Sequence, residues 1–273
     1  MTERAPRRAC ARAMRPGLVL DLLRTYGGLA LFGLMGLLWA PVALPLCYAL
    51  PARARRVFGR ALIRAAFRAY LGTLRWSGAC RFDLSALDSL RGQGPLIVAP
   101  NHPTLIDAPL VISRLPGLAC VMKSSLLANP ALGAGARLAG YIGNDDLLRM
   151  IELALAELRD GRQLLLFPEG TRSSEEPIGP VRGMVGLLSK RSGVAVQTVL
   201  LETDSPFLSK RWRLRDIPRL PITYRARLGR RFDPPTDTQA FVAELEAYFR
   251  QALDKAPAAA SGPCRVSPHD AHA

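Results

Sequence analysis

Between Thr25 and Leu50 the chain carries no charged residue, and arginines stand on both sides of this gap. As a helix, a run of this length would extend ~39 Å, more than the ~30 Å bilayer core. Pro41 and Pro45 are expected to interrupt that helix, because proline lacks the N–H and clashes with the preceding turn. The uninterrupted part, Thr25 to Ala40, reaches only ~24 Å. The pattern predicts either a tilted span or a segment that enters one leaflet and turns back. A buried helix of a soluble domain has the same signature, as has a signal peptide. Richness in Leu and Gly and the basic flanks count against the first. The length of the run, with Arg53 and Arg55 crowding any cleavage site, counts against the second.

Arg53 to Arg75 holds seven arginines and no acid. Arg56, Arg60, Arg64 and Arg68 recur every four residues, one drifting stripe on a helix, with Val57, Leu62, Ile63, Phe67 and Leu71 largely off it. This predicts a basic helix lying on an anionic membrane surface. A solvated face of an ordinary helix is the alternative. Arginines at both ends of the apolar run leave the positive-inside tendency without a single preferred end. Both ends in the cytoplasm would satisfy it, which favours a hairpin or re-entrant anchor.

Beyond Trp76 the pattern changes to short apolar runs alternating with helical periodicity. Pro95–Pro100, Leu118–Met122, Gln163–Phe167, Val194–Glu202 and Ile222–Leu228 read as strands. Asp146–Arg159 reads as a helix with Leu148, Ile151, Leu155 and Leu158 on one side, stopped by Gly161. Val181–Lys190 reads as another, broken by Gly193, and Asp237 or Thr238 caps a last helix to about Leu253. Such alternation predicts an α/β fold, with a central mostly parallel or mixed sheet flanked by helices and the N-terminal hydrophobic anchor before it. The expected divisions are residues 1–75, 76–255, and an Ala-, Pro- and Ser-rich tail at 256–273 that reads as disordered.

The formal net charge of +15 points to an anionic partner: nucleic acid, acidic lipid, or an acidic substrate. Cys10, Cys47, Cys80, Cys120 and Cys264 are scattered and odd in number, which argues against a disulfide framework or a zinc site.

Two places carry chemistry. In Asn101-His102-Pro103-Thr104-Leu105-Ile106-Asp107, which follows a strand, His102 is the candidate base, since His269 and His272 lie in the tail. On a regular helix His102 and Asp107 would point ~140° apart. Pro103 pushes His102 out of helical geometry and suits the first helical position. From such a cap the ring can swing back over the first turn toward Asp107, which would fix its tautomer. A structural histidine bonded to a cap is the plain alternative. The second place is Phe167-Pro168-Glu169-Gly170-Thr171-Arg172, again after a strand. Arg172 offers a fork suited to phosphate. Glu169 can hold that fork or accept from a substrate hydroxyl. A polar turn with a surface ion pair is the plain alternative here.

In this order and spacing the two stretches resemble the NHxxxxD and FPEGTR motifs of the glycerolipid acyltransferase family, whose best-known members are the lysophosphatidate acyltransferases. The resemblance covers roughly residues 75–235, so that 76–255 is expected to be the acyltransferase domain. It implies that His102 deprotonates an acceptor hydroxyl, that Asp107 orients His102, and that the alkoxide attacks an acyl thioester. Asn101, Glu169, Gly170, Thr171, Arg172 and Gly183 would bind substrate. No metal, no cofactor and no acyl-enzyme are implied, and Cys120 would be inert. The donor would be acyl-CoA or an acyl-carrier protein. The partners would be a lipid acceptor and a membrane surface, at the cytoplasmic face of a bacterial inner membrane. Lys123, Leu126 and Pro130 also fit the family.

Two stretches depart from it. Gly140-Tyr141-Ile142-Gly143-Asn144-Asp145-Asp146 lacks the Arg that the family's second motif offers to a phosphate, and Val194–Val199 lacks the prolines of the fourth. The acyl-transfer step is untouched by this. The acceptor is left open between 1-acylglycerol-3-phosphate, bound through Arg172 or Arg182, and an amino-acid or pigment lipid. A non-enzymatic reading, a membrane-surface or nucleic-acid-binding protein, would rest on Lys210-Arg211-Trp212-Arg213-Leu214-Arg215 and a steep salt dependence. The acyltransferase reading expects no nucleic-acid partner. The same stretch could instead meet anionic lipid or an acidic carrier protein.

Overall fold

A computed structural model describes residues 17–130, 133–173 and 177–254. The expected tail, with His269, His272 and Cys264, and the Arg-rich start with Cys10 lie outside the described residues.

The apolar run forms helix α1, Leu18–Ala49. At ~1.5 Å per residue it is ~48 Å long. Pro41 and Pro45 do not interrupt it, contrary to expectation. Both rings lie on the exposed side, and the same turns are held from inside, where Ala40 and Ala43 are buried against Ala134 and Leu138. The chain bends instead at Leu50, which is extended, as suits a residue before proline. Pro51 then precedes α2, Ala52–Trp76.

α1 lies along the rest of the fold rather than standing free. Leu29, Phe32 and Met35 pack on the main core, and Phe32 meets the rings of Phe67 and Tyr70 on α2. Its outer side is a continuous exposed stripe of Val19, Leu23, Ala30, Leu34, Leu37 and Leu44, recurring at helical spacing.

The arginine stripe of α2 does not face outward as one row. Arg68 is exposed and Arg56 and Arg64 are half-buried. Arg60 is 3% exposed. Its Nη1 and Nη2 each donate to a Glu157 oxygen at 2.8 Å. Its Nε donates to Ala139 O at 2.9 Å and Nη1 also reaches Gly117 O at 3.2 Å. Gly59 permits the approach, since a Cβ there would lie 2.5 Å from Ala139 N. Burial pushes the Glu157 carboxyl up, but the hydrogen bonds and charge of Arg60 and Arg162 outweigh this and leave it below its usual range. Alongside exposed Arg53, Arg68 and Arg75, α2 also exposes the apolar side chains of Val57 and Phe58.

Strand β1 (Cys80–Asp83) and a 3-10 turn (Ser85–Leu90) lead to β2 (Leu96–Pro100), buried at every position. Then come α3 (Asp107–Arg114), β3 (Ala119–Met122), the short α4 (Ser124–Leu127) and α5 (Gly133–Leu138), and β4 (Ile142–Gly143). α6 (Leu147–Arg159) starts where Asp146 accepts from Arg149 N–H, a side-chain cap. β5 (Gln163–Leu165), α7 (Met184–Ser192), β6 (Val196–Thr203), β7 (Ile222–Phe232) and α8 (Thr238–Asp254) complete the chain. Asp237 caps α8 by accepting from Gln239 N–H at 2.8 Å.

The strands form one seven-stranded sheet, β1-β7-β6-β2-β5-β3-β4. Only the β6–β7 pair is antiparallel, so the sheet is mixed but mostly parallel. β2 sits between β6 and β5, with Ile97 opposite both Val196 and Leu164. β6 is an interior strand, where proline would remove ladder hydrogen bonds. The parallel strands β2, β5, β3 and β4 end on the same edge of the sheet. In open α/β sheets ligands bind beyond that carboxyl edge.

Candidate active site

Both motif turns leave that edge from neighbouring strands. β2 ends at Pro100, and Asn101 follows. Its buried amide brackets the next strand: Nδ2 donates to Leu201 O at 3.0 Å and Oδ1 accepts from Leu201 N–H at 2.7 Å. Expected among the substrate-binding residues, Asn101 instead ties the exit of β2 to β6.

His102 then turns back on Asp107, with Nδ1 and Oδ2 2.8 Å apart. The contact expected from Pro103 is present, but its local cause differs. The helix does not begin at Pro103; residues 102–106 form a turn and α3 begins at Asp107. Asp107 also accepts from Thr104 N–H at 2.7 Å and from Thr104 Oγ1 at 2.6 Å. Both contacts close the turn that precedes α3. Asp107 is 1% exposed and the His102 side chain 16%. Three donors thus satisfy this buried carboxyl, and an acceptor-only carboxylate oxygen facing the ring places the proton on Nδ1. Nε2 is thereby left as the basic nitrogen. The other face of the ring is set by Phe167, stacked at 3.9 Å between centroids.

β5 delivers the second turn. Glu169 is buried and its carboxylate points inward, not at Arg172. Oε1 accepts from His102 N–H at 3.0 Å and from Ser173 Oγ at 2.8 Å, and Oε2 accepts from Gly179 N–H at 2.8 Å. Ser173 N–H donates in turn to His102 O at 2.8 Å. The two motif turns are thus bonded directly to each other. Burial pushes the Glu169 carboxyl above its usual range; the three donors pull the other way without cancelling it. In Glu169→Gln an amide N–H would face one of these donors. A loss of about 1–3 kcal/mol in denaturant unfolding is expected. Unchanged stability would show that this clamp carries no weight.

Arg172 is half-buried, and its Nη1 donates to the carbonyls of Leu208 and Ser209, both at 3.1 Å. It holds the long loop between β6 and β7. Leu105 N–H also donates to Leu208 O at 3.1 Å. Leu208 has φ +61°, in the left-handed region. Thr171 is exposed. Gly170 has φ +67°, and a Cβ there would lie 3.0 Å from Cδ of Arg182, so the exposed Arg182 lies across it. Arg182 Nε donates to Glu169 O at 3.1 Å. Gly183 follows, at the start of α7, with open space around it.

In the stretch 140–146 the carboxylates are occupied locally. Asp145 accepts from Ser124 Oγ and Asp146 caps α6. This segment leaves the same sheet edge at β4. Cys120 is fully buried and its thiol is pushed up to about 12 by burial, which keeps it protonated and a poor nucleophile.

Sequence reading did not single out Thr104, Phe167 or Ser173 for the site. Thr104 was readable, since a Thr three residues before an Asp can bond it within one turn. The other two are contacts between distant segments and leave no local mark.

A family model described as Acyltransferase matches residues 81–222. A lyso-ornithine lipid O-acyltransferase of Pseudomonas aeruginosa is 36% identical over 112 residues, 39% of this chain and 43% of that protein. A chloroplast 1-acyl-sn-glycerol-3-phosphate acyltransferase of Brassica napus is 24% identical over 129 residues, 44% of this chain and 36% of that protein. The chain thus spans less than half the length of either. Among solved structures, the 1-acyl-sn-glycerophosphate acyltransferase PlsC of Thermotoga maritima superposes with a TM-score of 0.66 at 16% identity, covering 86% of this chain and 95% of that one. Because the family match takes in both motif turns and just over half of the sequence, the chain belongs to the acyltransferase family.

Proposed function

We propose that this protein moves an acyl group from an acyl thioester to the hydroxyl of a single-chain lipid at a membrane surface. The observation that carries the reading is the His102–Asp107 contact. It fixes Nδ1 on a buried carboxylate and leaves Nε2 as a base. His102 Nε2 takes the acceptor's hydroxyl proton while the oxygen attacks the thioester carbonyl. The C–S bond then breaks and the thiolate leaves, receiving the proton from the imidazolium. Asp107 stabilises that imidazolium. The products are an ester and a free thiol, of coenzyme A or of a carrier protein.

Arg172 is already engaged with two carbonyls. We assign the acceptor's anionic head to Arg182, beside Gly170, Thr171 and Gly183. Arg182→Ala is expected to raise the KM for the acceptor about tenfold, the scale of one charge-assisted contact, and to leave kcat nearly unchanged. An equal fall in kcat would move Arg182 into the chemical step.

Membrane attachment is supported by the exposed apolar stripe of α1. Packing along the domain favours a helix lying in one leaflet over one crossing alone. Arginines at both ends of the apolar run suit the cytoplasmic face of a bacterial inner membrane.

The acceptor has two readings. 1-Acylglycerol-3-phosphate is the one named for the Brassica and Thermotoga proteins. An amino-acid lipid is favoured by the stretch 140–146, which presents exposed Asp145 and no arginine, and by the Pseudomonas relative's printed activity. Purified protein should be offered a labelled acyl thioester with each acceptor in turn. His102-dependent ester formation on one of them identifies it. Absence of thioester consumption with both would overturn the enzyme reading.

A further inference from the structure

The loop between β6 and β7, residues 204–221, is long and strongly basic. It carries Lys210, Arg211, Arg213, Arg215 and Arg219 against Asp204 and Asp216. The expected sites for a loop's apolar residues are underneath, and Phe207 and Leu208 are indeed buried. Leu214 and Ile217 are not: they are 64% and 40% exposed, interleaved with exposed Arg213 and Arg215. An exposed apolar tip ringed by cations fits an anionic bilayer, which offers hydrocarbon beneath charged head groups. An acidic protein would be met by the cations alone and gives Leu214 no reason to protrude.

Position supports the same occupant. Tyr26 Oη on α1 donates to Leu214 O at 2.6 Å. That bond ties the tip to α1 at Tyr26, one turn from exposed Leu23 on the same face, so the loop meets α1 next to its exposed apolar stripe. At its other end the loop is bonded to the reaction centre, through Arg172 and through Leu105 N–H on the His102 turn. Leu105 is itself 53% exposed.

We infer that this loop is a second membrane-contact element: Arg213, Leu214, Arg215 and Ile217 enter an anionic lipid surface and seat the mouth of the His102 site on it. Arg172 is then a positioning residue that couples the loop to the centre. The inference rests on the proposed attachment through α1, and the two are separable by experiment.

Hydrogen exchange of the full chain should be followed with vesicles of phosphatidylcholine alone and with added phosphatidylglycerol. Protection of residues 209–219 by the anionic vesicles, beyond that of 18–50, is expected. Arg213→Glu with Arg215→Glu should remove it and weaken vesicle binding at least tenfold. The same variant should lose activity on a vesicle-borne acceptor and keep it on a short-chain soluble one. Protection of 18–50 without 209–219 would overturn the loop assignment and leave the anchor standing. Protection of neither segment would overturn both. Protection of the loop by an acidic carrier protein but not by vesicles would show a protein-docking surface and also overturn it.

Discussion

His102→Ala is expected to lower kcat/KM about 10³-fold, the middle of the range for a positioned general base. That corresponds to ~4 kcal/mol of transition-state stabilisation. The fall should lie in kcat, because the ring deprotonates an oxygen that other groups hold in place. Folding should be little affected. Asp107 keeps both contacts from Thr104, and the contact from Glu169 to the other motif uses the His102 backbone N–H, which alanine retains. Measuring kcat, KM and the unfolding midpoint together separates the outcomes. A variant that keeps a tenth of the activity would exclude the imidazole as the base. Loss of both activity and stability would point to the plain alternative, a histidine that serves the turn.

The second large effect is on stability. Arg60→Ala is expected to cost ~3–5 kcal/mol, because it leaves the buried Glu157 carboxylate without its main partner. Against a total of ~5–15 kcal/mol for an ordinary domain, that is enough to loosen α2. Replacing both partners by apolar residues, Arg60→Met with Glu157→Leu, should recover most of the loss, since the cost comes from an unpaired charge. The pair also sets a pH dependence. The folded Glu157 carboxyl lies below its ordinary value of 4.5. Its contribution is therefore full above that value and fades as the pH falls below it through the folded value. Arg60→Ala should accordingly flatten the acid limb of the stability profile. An unchanged acid limb would show that Glu157 does not carry it.

The sheet was legible because each interior strand is a short apolar run bounded by turn residues, as in Leu96–Pro100 and Gln163–Leu165. Caps were legible at Asp146 and Asp237 because a cap is a local device. The His102–Asp107 approach was also local, though the proline that announced it does not open the helix. Other features depend on partners far along the chain. Arg60 looks like its exposed neighbour Arg68, and only Glu157, 97 residues away, makes it a buried residue. Glu169 looks like the companion of Arg172, three positions on, and is drawn inward by His102 and Gly179. Pro41 and Pro45 read as helix breakers because their lost N–H donors count locally, whereas Ala40 and Ala43 are held by α5. β1 and the two-residue β4 are too short to leave any periodicity.

Glu169 closes the chain into a ring at His102, 67 residues upstream. The segment from Pro103 to Pro168 thus leaves and returns at one joint, and it is fastened elsewhere by the β2–β5 ladder and by Arg60 on Glu157 and Ala139. A change in the path of this segment leaves the backbone bond between the two motif turns in place. The segment from Lys123 to Asp146 lies wholly inside this closed stretch and reaches the same sheet edge at β4.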